Sequence, residues 1–275
     1  MSKPTATSSA TLAIAAILGL AACERQPEPR PAGPPQPASA PPPAPATLAP
    51  TPTIGRAELL QGLDAAASAF AAGRTEEADA SLAGRRFVVR QAFGCTGSSE
   101  SEDAAEGLAV VVQAAEGRGL RLSLAPGDWT ESPLVAGSGE TWEAAEGFWL
   151  TRPWMRAETC PVASADAVTD EPVPPSPQTM GLAAVFEADG SRLGRRNGRA
   201  YSFVVRGDAD RPAAIPDGGY RLVLEGRMAA FADGRAVRCR AAGPDQRPIC
   251  IGAVQLDRVA FEDAQGAVLS EWRGG

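Results

Sequence analysis

The chain has 275 residues, carries a formal net charge of −7 and contains no histidine. An acidic balance of this size argues against charge-driven binding to nucleic acid or to anionic membrane surfaces. Without histidine, Ser-His-Asp and Cys-His catalytic arrangements and histidine-ligated metals are excluded. The only lysine is Lys3, so Schiff-base and Ser-Lys mechanisms are excluded from the rest of the chain.

The first 23 residues carry an export pattern. Lys3 supplies one positive charge, an apolar run covers Leu12–Leu20, and small residues lead into Cys23 as Leu-Ala-Ala-Cys. This pattern resembles the signal peptide and lipobox of bacterial lipoproteins. The resemblance implies that residues 1–22 are removed and that Cys23 is acylated and anchors the protein in the cell envelope. Aspartate directly after the lipidated cysteine would favour retention in the inner membrane. This chain has Glu24 at that position, which favours the outer membrane. We expect the folded domain to face the periplasm.

Residues 23–53 are rich in proline. Twelve prolines fall between Pro27 and Pro52, separated mainly by alanine, serine, threonine and glutamine. Proline removes backbone donors and biases the chain to polyproline II, so we predict a semi-rigid linker and no packed core. A docking ligand for aromatic grooves on another protein is the alternative.

Residues 54–84 are predicted to be helical. Gly55–Ala72 places Leu59, Leu63, Ala66 and Phe70 on one face, and a shorter helix is predicted for Thr75–Gly84. We expect the apolar stripe to pack against the sheet that follows. An exposed helix that binds a partner is the alternative.

Beyond Gly84 the apolar pattern changes to short runs separated by Gly- and Asp-rich turns, which is typical of antiparallel β-structure. We therefore predict a mainly β fold, a sandwich or a barrel. The predicted strands are Arg85–Phe93, Gly107–Ala114, Leu120–Ala125, Gly147–Leu150, Leu182–Glu187, Arg199–Arg206, Tyr220–Arg227, Arg235–Arg240, Ile249–Phe261 and Ala267–Trp272.

A second proline-rich stretch, residues 166–179, divides these strands into two groups, residues 85–165 and 180–275. The groups are predicted to form either one compact module or two tandem β units. The sequence Phe-Val-Val-Arg occurs both in the first predicted strand and in Arg199–Arg206, so a duplicated β unit is the alternative.

Four cysteines remain once Cys23 is acylated, and an even number in an exported chain favours disulfides. We predict the pairs Cys95–Cys160 and Cys239–Cys250, the second across a Gly-Pro-Asp turn. No paired Cys-x-x-Cys is present, so a zinc site is not expected, and no cofactor is predicted.

Carboxylate pairs are the catalytic chemistry that remains open, as in glycosidases. Glu140, Glu143 and Glu146 lie close to tryptophans and are the candidates, although a solvated acidic face is the simpler explanation for them. Asp208, Asp210 and Asp217 are candidates for calcium, and Arg206-Gly207-Asp208 matches an adhesion tripeptide, but an ordinary turn explains both.

Four of the five tryptophans, Trp129, Trp142, Trp149 and Trp154, fall in one short stretch. Flat aromatic faces bind sugar rings or extended peptides, while tryptophans also fill small cores. These four are therefore tentative ligand-binding residues.

We expect an envelope lipoprotein that binds rather than catalyses, contacting other envelope proteins. A glycan- or peptidoglycan-binding module and a carboxylate-dependent hydrolase are the alternatives. No nucleic-acid partner is expected.

Overall fold

The structure is a computed structural model that describes residues 52–74, 82–99, 106–114, 118–136, 142–161, 176–192, 194–208 and 210–274. The export signal, Cys23 and nearly all of the proline-rich linker lie outside these ranges. So do residues 75–81 of the second predicted helix and Glu140. Residues Ala49–Gly275 form one compact unit.

One helix and eleven strands lie within the described residues. The elements are α1 (Arg56–Ala71), β1 (Arg86–Phe93), β2 (Ala109–Gln113), β3 (Gly119–Leu124), β4 (Gly127–Asp128), β5 (Trp142–Trp149), β6 (Met180–Glu187), β7 (Tyr201–Arg206), β8 (Tyr220–Met228), β9 (Val237–Arg240), β10 (Ile249–Asp263) and β11 (Val268–Arg273).

The strands form two sheets, which confirms the mainly β, sandwich-like prediction. The larger sheet has eight strands in the order β1-β8-β10-β6-β5-β4, with β9 and β11 also paired to β10. The smaller sheet is β2-β3-β7. The strand pairs are antiparallel, as predicted, except that β6 and β10 are parallel. These two strands are separated by β7, β8 and β9, and so long a connection allows the chain to return in the same direction.

The two predicted β groups do not form separate units. β1 pairs with β8, β5 with β6, and β3 with β7, so strands before and after residues 166–179 share both sheets. The tandem-unit prediction is therefore corrected to one interleaved module. The two strands that share the Phe-Val-Val-Arg sequence, β1 and β7, lie in different sheets.

The helix packs its apolar stripe into the core, as predicted. Leu59, Leu60 and Leu63 are fully buried, and α1 contacts β1, β9 and β10. Glu58 accepts a hydrogen bond from the backbone nitrogen of Gly55 (3.2 Å), which satisfies one free donor at the start of the helix. The same core includes Phe87 of β1 and residues of both sheets.

A second, smaller core covers the other face of β5, β6 and β10. Val135 and Phe231 pack there on Ala145, Ala183 and other small side chains of these strands. Because both faces are covered, the middle of the large sheet contains few polar side chains.

Both predicted disulfides are present. Cys95–Cys160 ties the segment after β5 to the end of β1, across 65 residues of sequence. Cys239 and Cys250 face one another on β9 and β10. Each bridge therefore joins segments that the fold already brings together.

Candidate functional site

A pocket of about 680 Å³ lies where the large sheet divides. Along one edge of β10, pairing with β6 ends at Val254, and pairing with β11 begins at Arg258. The β10 strand is also irregular at this point, because its register with β8 shifts between Leu256 and Arg258. The ends of β6 and β11 therefore diverge around residues 255–257 and leave a cleft, which we call the fork pocket.

One wall of the fork pocket is a loop rich in arginine, residues 190–199, which we call the arginine loop. Glu143 of β5 accepts hydrogen bonds from Arg192 (2.9 Å) and Arg195 (2.8 Å). These ion pairs attach two side chains of the loop to the sheet.

Glu146 holds the same loop through its backbone. Its Oε1 accepts hydrogen bonds from the backbone nitrogens of Arg196 (2.7 Å) and Asn197 (2.8 Å). Asn197 has a φ of 52°, in the left-handed region that asparagine tolerates better than most residues. Successive N–H groups that converge in this way form a small anion-binding concavity, which here is filled by a carboxylate of the protein itself.

Burial of Glu146 raises the pKa of its carboxyl, although the two backbone N–H groups and the nearby Arg195 and Arg196 act in the opposite direction. The pKa of the Glu143 carboxyl is instead lowered, chiefly by its hydrogen bond from Arg192. Two glutamates three residues apart therefore favour opposite protonation states.

The fork pocket carries more positive than negative side chains. It is lined by five arginines and three acidic residues, although the chain as a whole is acidic. Arg195 pairs with Glu143, while Arg258 and Arg273 both pair with Glu271. The other two arginines of the pocket, Arg196 and Arg199, form no ion pair with any described residue.

Arg196 is held by three contacts. Its Nε donates to the carbonyl of Arg199 (3.2 Å), its Nη2 donates to the carbonyl of Ala200 (2.8 Å), and its guanidinium lies 4.6 Å from the ring centre of Tyr201. Arg199 is exposed and donates only its Nε to a protein group, the carbonyl of Arg196 (3.2 Å). The terminal nitrogens of Arg199 are thus available to a ligand.

Aromatic side chains complete the walls. Trp272 contacts Tyr201 edge-on with ring centres 5.2 Å apart, and it contacts Phe261 at 5.4 Å. Burial raises the pKa of the Tyr201 hydroxyl, which donates to the carbonyl of Gly194 (3.3 Å). Trp142, at the start of β5, also lines the pocket, and its buried Nε1 has no hydrogen-bond partner within the described structure.

The four clustered tryptophans do not form one platform. Only Trp142 lines the fork pocket. Trp129 and Trp149 pack on one another, 4.6 Å apart, and Trp129 lies over Gly147. Trp154 is 58% exposed on the loop after β5. The pocket tryptophan that sequence analysis missed is Trp272, whose signal was only its position in a predicted strand.

The other candidate polar residues are turn-formers or loop anchors. Glu143 and Glu146 bind the arginine loop, as described above. Oδ1 of Asp208 accepts a hydrogen bond from the backbone nitrogen of Arg211 (2.7 Å), so the Arg-Gly-Asp tripeptide forms part of a tight turn. Among the described residues, no cluster of three or more His, Cys, Asp or Glu could hold a metal ion.

Comparison of the chain with protein-family models, with curated proteins and with solved structures gave no match. In the part of the chain that the structure describes, no helix has the length and apolarity needed to cross a bilayer.

Proposed function

We propose that the protein is a lipid-anchored envelope protein whose folded domain is a non-catalytic binding module, with the fork pocket as its binding site. The observation that carries this proposal is the pocket itself, a concave site at a sheet division with unpaired arginine and aromatic walls. Its volume lies within the range of about 300–1,000 Å³ typical of ligand pockets.

The hydrogen bonds of the candidate carboxylates favour binding over hydrolysis. The candidate carboxylates Glu143 and Glu146 are occupied in holding the arginine loop. A carboxylate whose hydrogen bonds maintain a binding loop is poorly placed to exchange protons with a substrate in each turnover.

A ligand pocket also fits the surface better than a broad protein-docking face. The exposed large apolar side chains of the described residues are dispersed over a loop and three strands, at Trp154, Val204, Ile249 and Val268. Protein-binding faces normally present such side chains together.

The anchor is tested by intact-mass analysis of protein from native membranes, beside a Cys23→Ala variant. We expect a mature chain that begins at Cys23 with an acyl mass increment, and a variant released from the membrane. Wild-type protein without acylation would contradict the anchor.

The binding site is tested by placing a photoreactive amino acid at Ala230, an exposed residue that lines the fork pocket, in the full-length protein. The matched control carries it at Ala242, an exposed alanine that does not line the pocket. Irradiation of whole cells is expected to produce an adduct with an envelope component only from position 230. The same adduct pattern from both positions would show that the pocket is not the binding site.

A further inference from the structure

We propose that the fork pocket binds a carboxylate-bearing sugar, with the acidic group on Arg199 and Arg196 and the ring against Trp142 and Trp272. This inference rests on the binding function proposed above and specifies the ligand class. The arginines of the pocket favour a carboxylate, and its aromatic side chains favour a sugar ring.

The need for an acidic group follows from charge. Three of the five lining arginines form ion pairs with glutamates, whereas the hydrogen bonds that Arg196 and Arg199 donate within the described structure go to backbone carbonyls. Arg196 also interacts electrostatically with the Glu146 carboxyl, so it is the positive charge of Arg199 that no ion pair compensates among these residues. A ligand anion would supply that compensation.

The two arginines also have the geometry for a carboxylate. Arg196 is held in place by Tyr201 and by two carbonyls, so little side-chain entropy is lost when it meets a ligand. Arg199 leaves its planar pair of terminal nitrogens open, and such a fork matches the two oxygens of a carboxylate.

The need for a ring follows from the aromatic walls. Trp272 is held by edge contacts with Tyr201 and Phe261, and Trp142 of β5 lines the same pocket. The C–H groups of a sugar ring pack well on the electron-rich faces of indoles.

The pocket accommodates one such ring together with an acidic substituent. Its 680 Å³ suits a ligand of one or two rings. Glu146 does not oppose an anion strongly, because its Oε1 is already enclosed by two backbone N–H groups.

The experiment compares N-acetylmuramic acid, N-acetylglucosamine and inorganic phosphate as probes. The two sugars share one ring and differ by a carboxylate-bearing lactyl group, while phosphate is an anion without a sugar. Each is titrated by calorimetry into the mature acylated protein in detergent micelles. The variants are Arg199→Gln and, as the matched control, Arg74→Gln, which changes an exposed arginine that does not line the pocket.

We expect N-acetylmuramic acid to bind about ten-fold more tightly than N-acetylglucosamine, the effect of about one hydrogen bond to a charged group. Arg199→Gln should abolish that difference, whereas Arg74→Gln should preserve it. Added salt should weaken the acidic sugar selectively, because the bond is electrostatic.

Equal affinities for the two sugars, or an unchanged preference in Arg199→Gln, would overturn the inference. Phosphate that binds as tightly as the acidic sugar would also overturn it, because the site would then recognise charge alone. If neither sugar binds while the cross-link at position 230 forms, the ligand class is wrong and the proposed function stands. If neither sugar binds and no cross-link forms at position 230, the proposed function is overturned as well.

Discussion

Glu143 and Glu146 show how far two identical residues can differ within one strand. Glu143 is partly exposed and lies between two arginine side chains, so its charged form is stabilised. Glu146 is 6% exposed and lies against backbone donors, and desolvation favours its neutral form. Both hold the arginine loop, but only the first does so with full ion pairs.

This difference predicts opposite pH dependences of stability. The pKa of Glu146 is raised from an ordinary value of 4.5, so the folded state binds its proton more tightly than the unfolded state. The contribution of Glu146 to stability should therefore fall as the pH rises from 4.5 through the raised pKa. Glu146→Gln keeps an acceptor oxygen and removes this loss, so its unfolding free energy, relative to wild type, should increase over that range.

Glu143→Gln is the matched control. The pKa of Glu143 is lowered, so its stabilising contribution is present above 4.5 and is lost as the pH falls through the lowered value. Relative to wild type, this variant should become less stable as the pH rises. Urea unfolding from pH 3 to 8 measures the unfolding free energy of both variants. The same pH dependence in the two variants would contradict the environments described for Glu143 and Glu146.

Gly147 is a position where the fold requires the absence of a side chain. A Cβ there would overlap the indole ring of Trp129, which lies across this part of the sheet. Gly147→Ala should therefore destabilise the protein by about 1–3 kcal/mol, the usual cost of overpacking. Gly243→Ala is the control, because a Cβ there would meet nothing closer than 3.8 Å. Similar urea midpoints for the two variants would refute this packing account.

At the scale of elements, β10 organises the molecule. Its first half pairs with β6 and β9, and its second half pairs with β8 and β11. The fork pocket is a direct result, because β10 pairs along one edge first with β6 and then with β11. A gap remains between the ends of these two partner strands.

The two disulfides act on different elements and should differ in their effect on stability. Cys95–Cys160 closes 65 residues, and Cys239–Cys250 closes 11. If restriction of the unfolded chain dominates, replacing the first pair by alanine should cost about 4 kcal/mol and the second about 3 kcal/mol. Urea unfolding of the two double variants measures the difference. A larger loss from the shorter bridge would contradict this entropic origin.

Local pattern predicted most strands but not all of them. β8 and β10 carry clear apolar runs between turn signals, and both lie where the sequence placed them. The first half of β5 reads Trp-Glu-Ala-Ala-Glu, a composition with helical propensity, and its pairing with β6 overrides that propensity. The two-residue β4 is too short to give any periodic signal.

The site was predicted only where its residues are close in sequence. Trp142, Glu143 and Glu146 were identified as candidates because they cluster in one segment. Arg199 and Trp272 were not, because the topology alone brings the arginine loop and β11 to the same cleft. The density of arginine in residues 190–199 was the one available signal for the arginine loop.

At the scale of the whole molecule, the interleaved sheets make the two halves of the chain dependent on one another. Residues 49–165 and 180–275, produced separately, should each lack cooperative unfolding and dispersed amide resonances, because β1, β3 and β5 have their partners in the other fragment. Mixing the fragments should restore both signals. A well-folded isolated fragment would show that one half has a core of its own.

The late position of β10 also bears on how such a chain could be exported. Residues 249–263 follow every strand from β1 to β9, and β8, β6 and β9 all require β10 as a neighbour. The large sheet therefore cannot close while β10 is still being synthesised or is still inside a channel. If the chain is exported as proposed above, this topology would keep it unfolded enough to pass a narrow translocon until nearly all of it had crossed, and folding would follow on the far side, where disulfides can form.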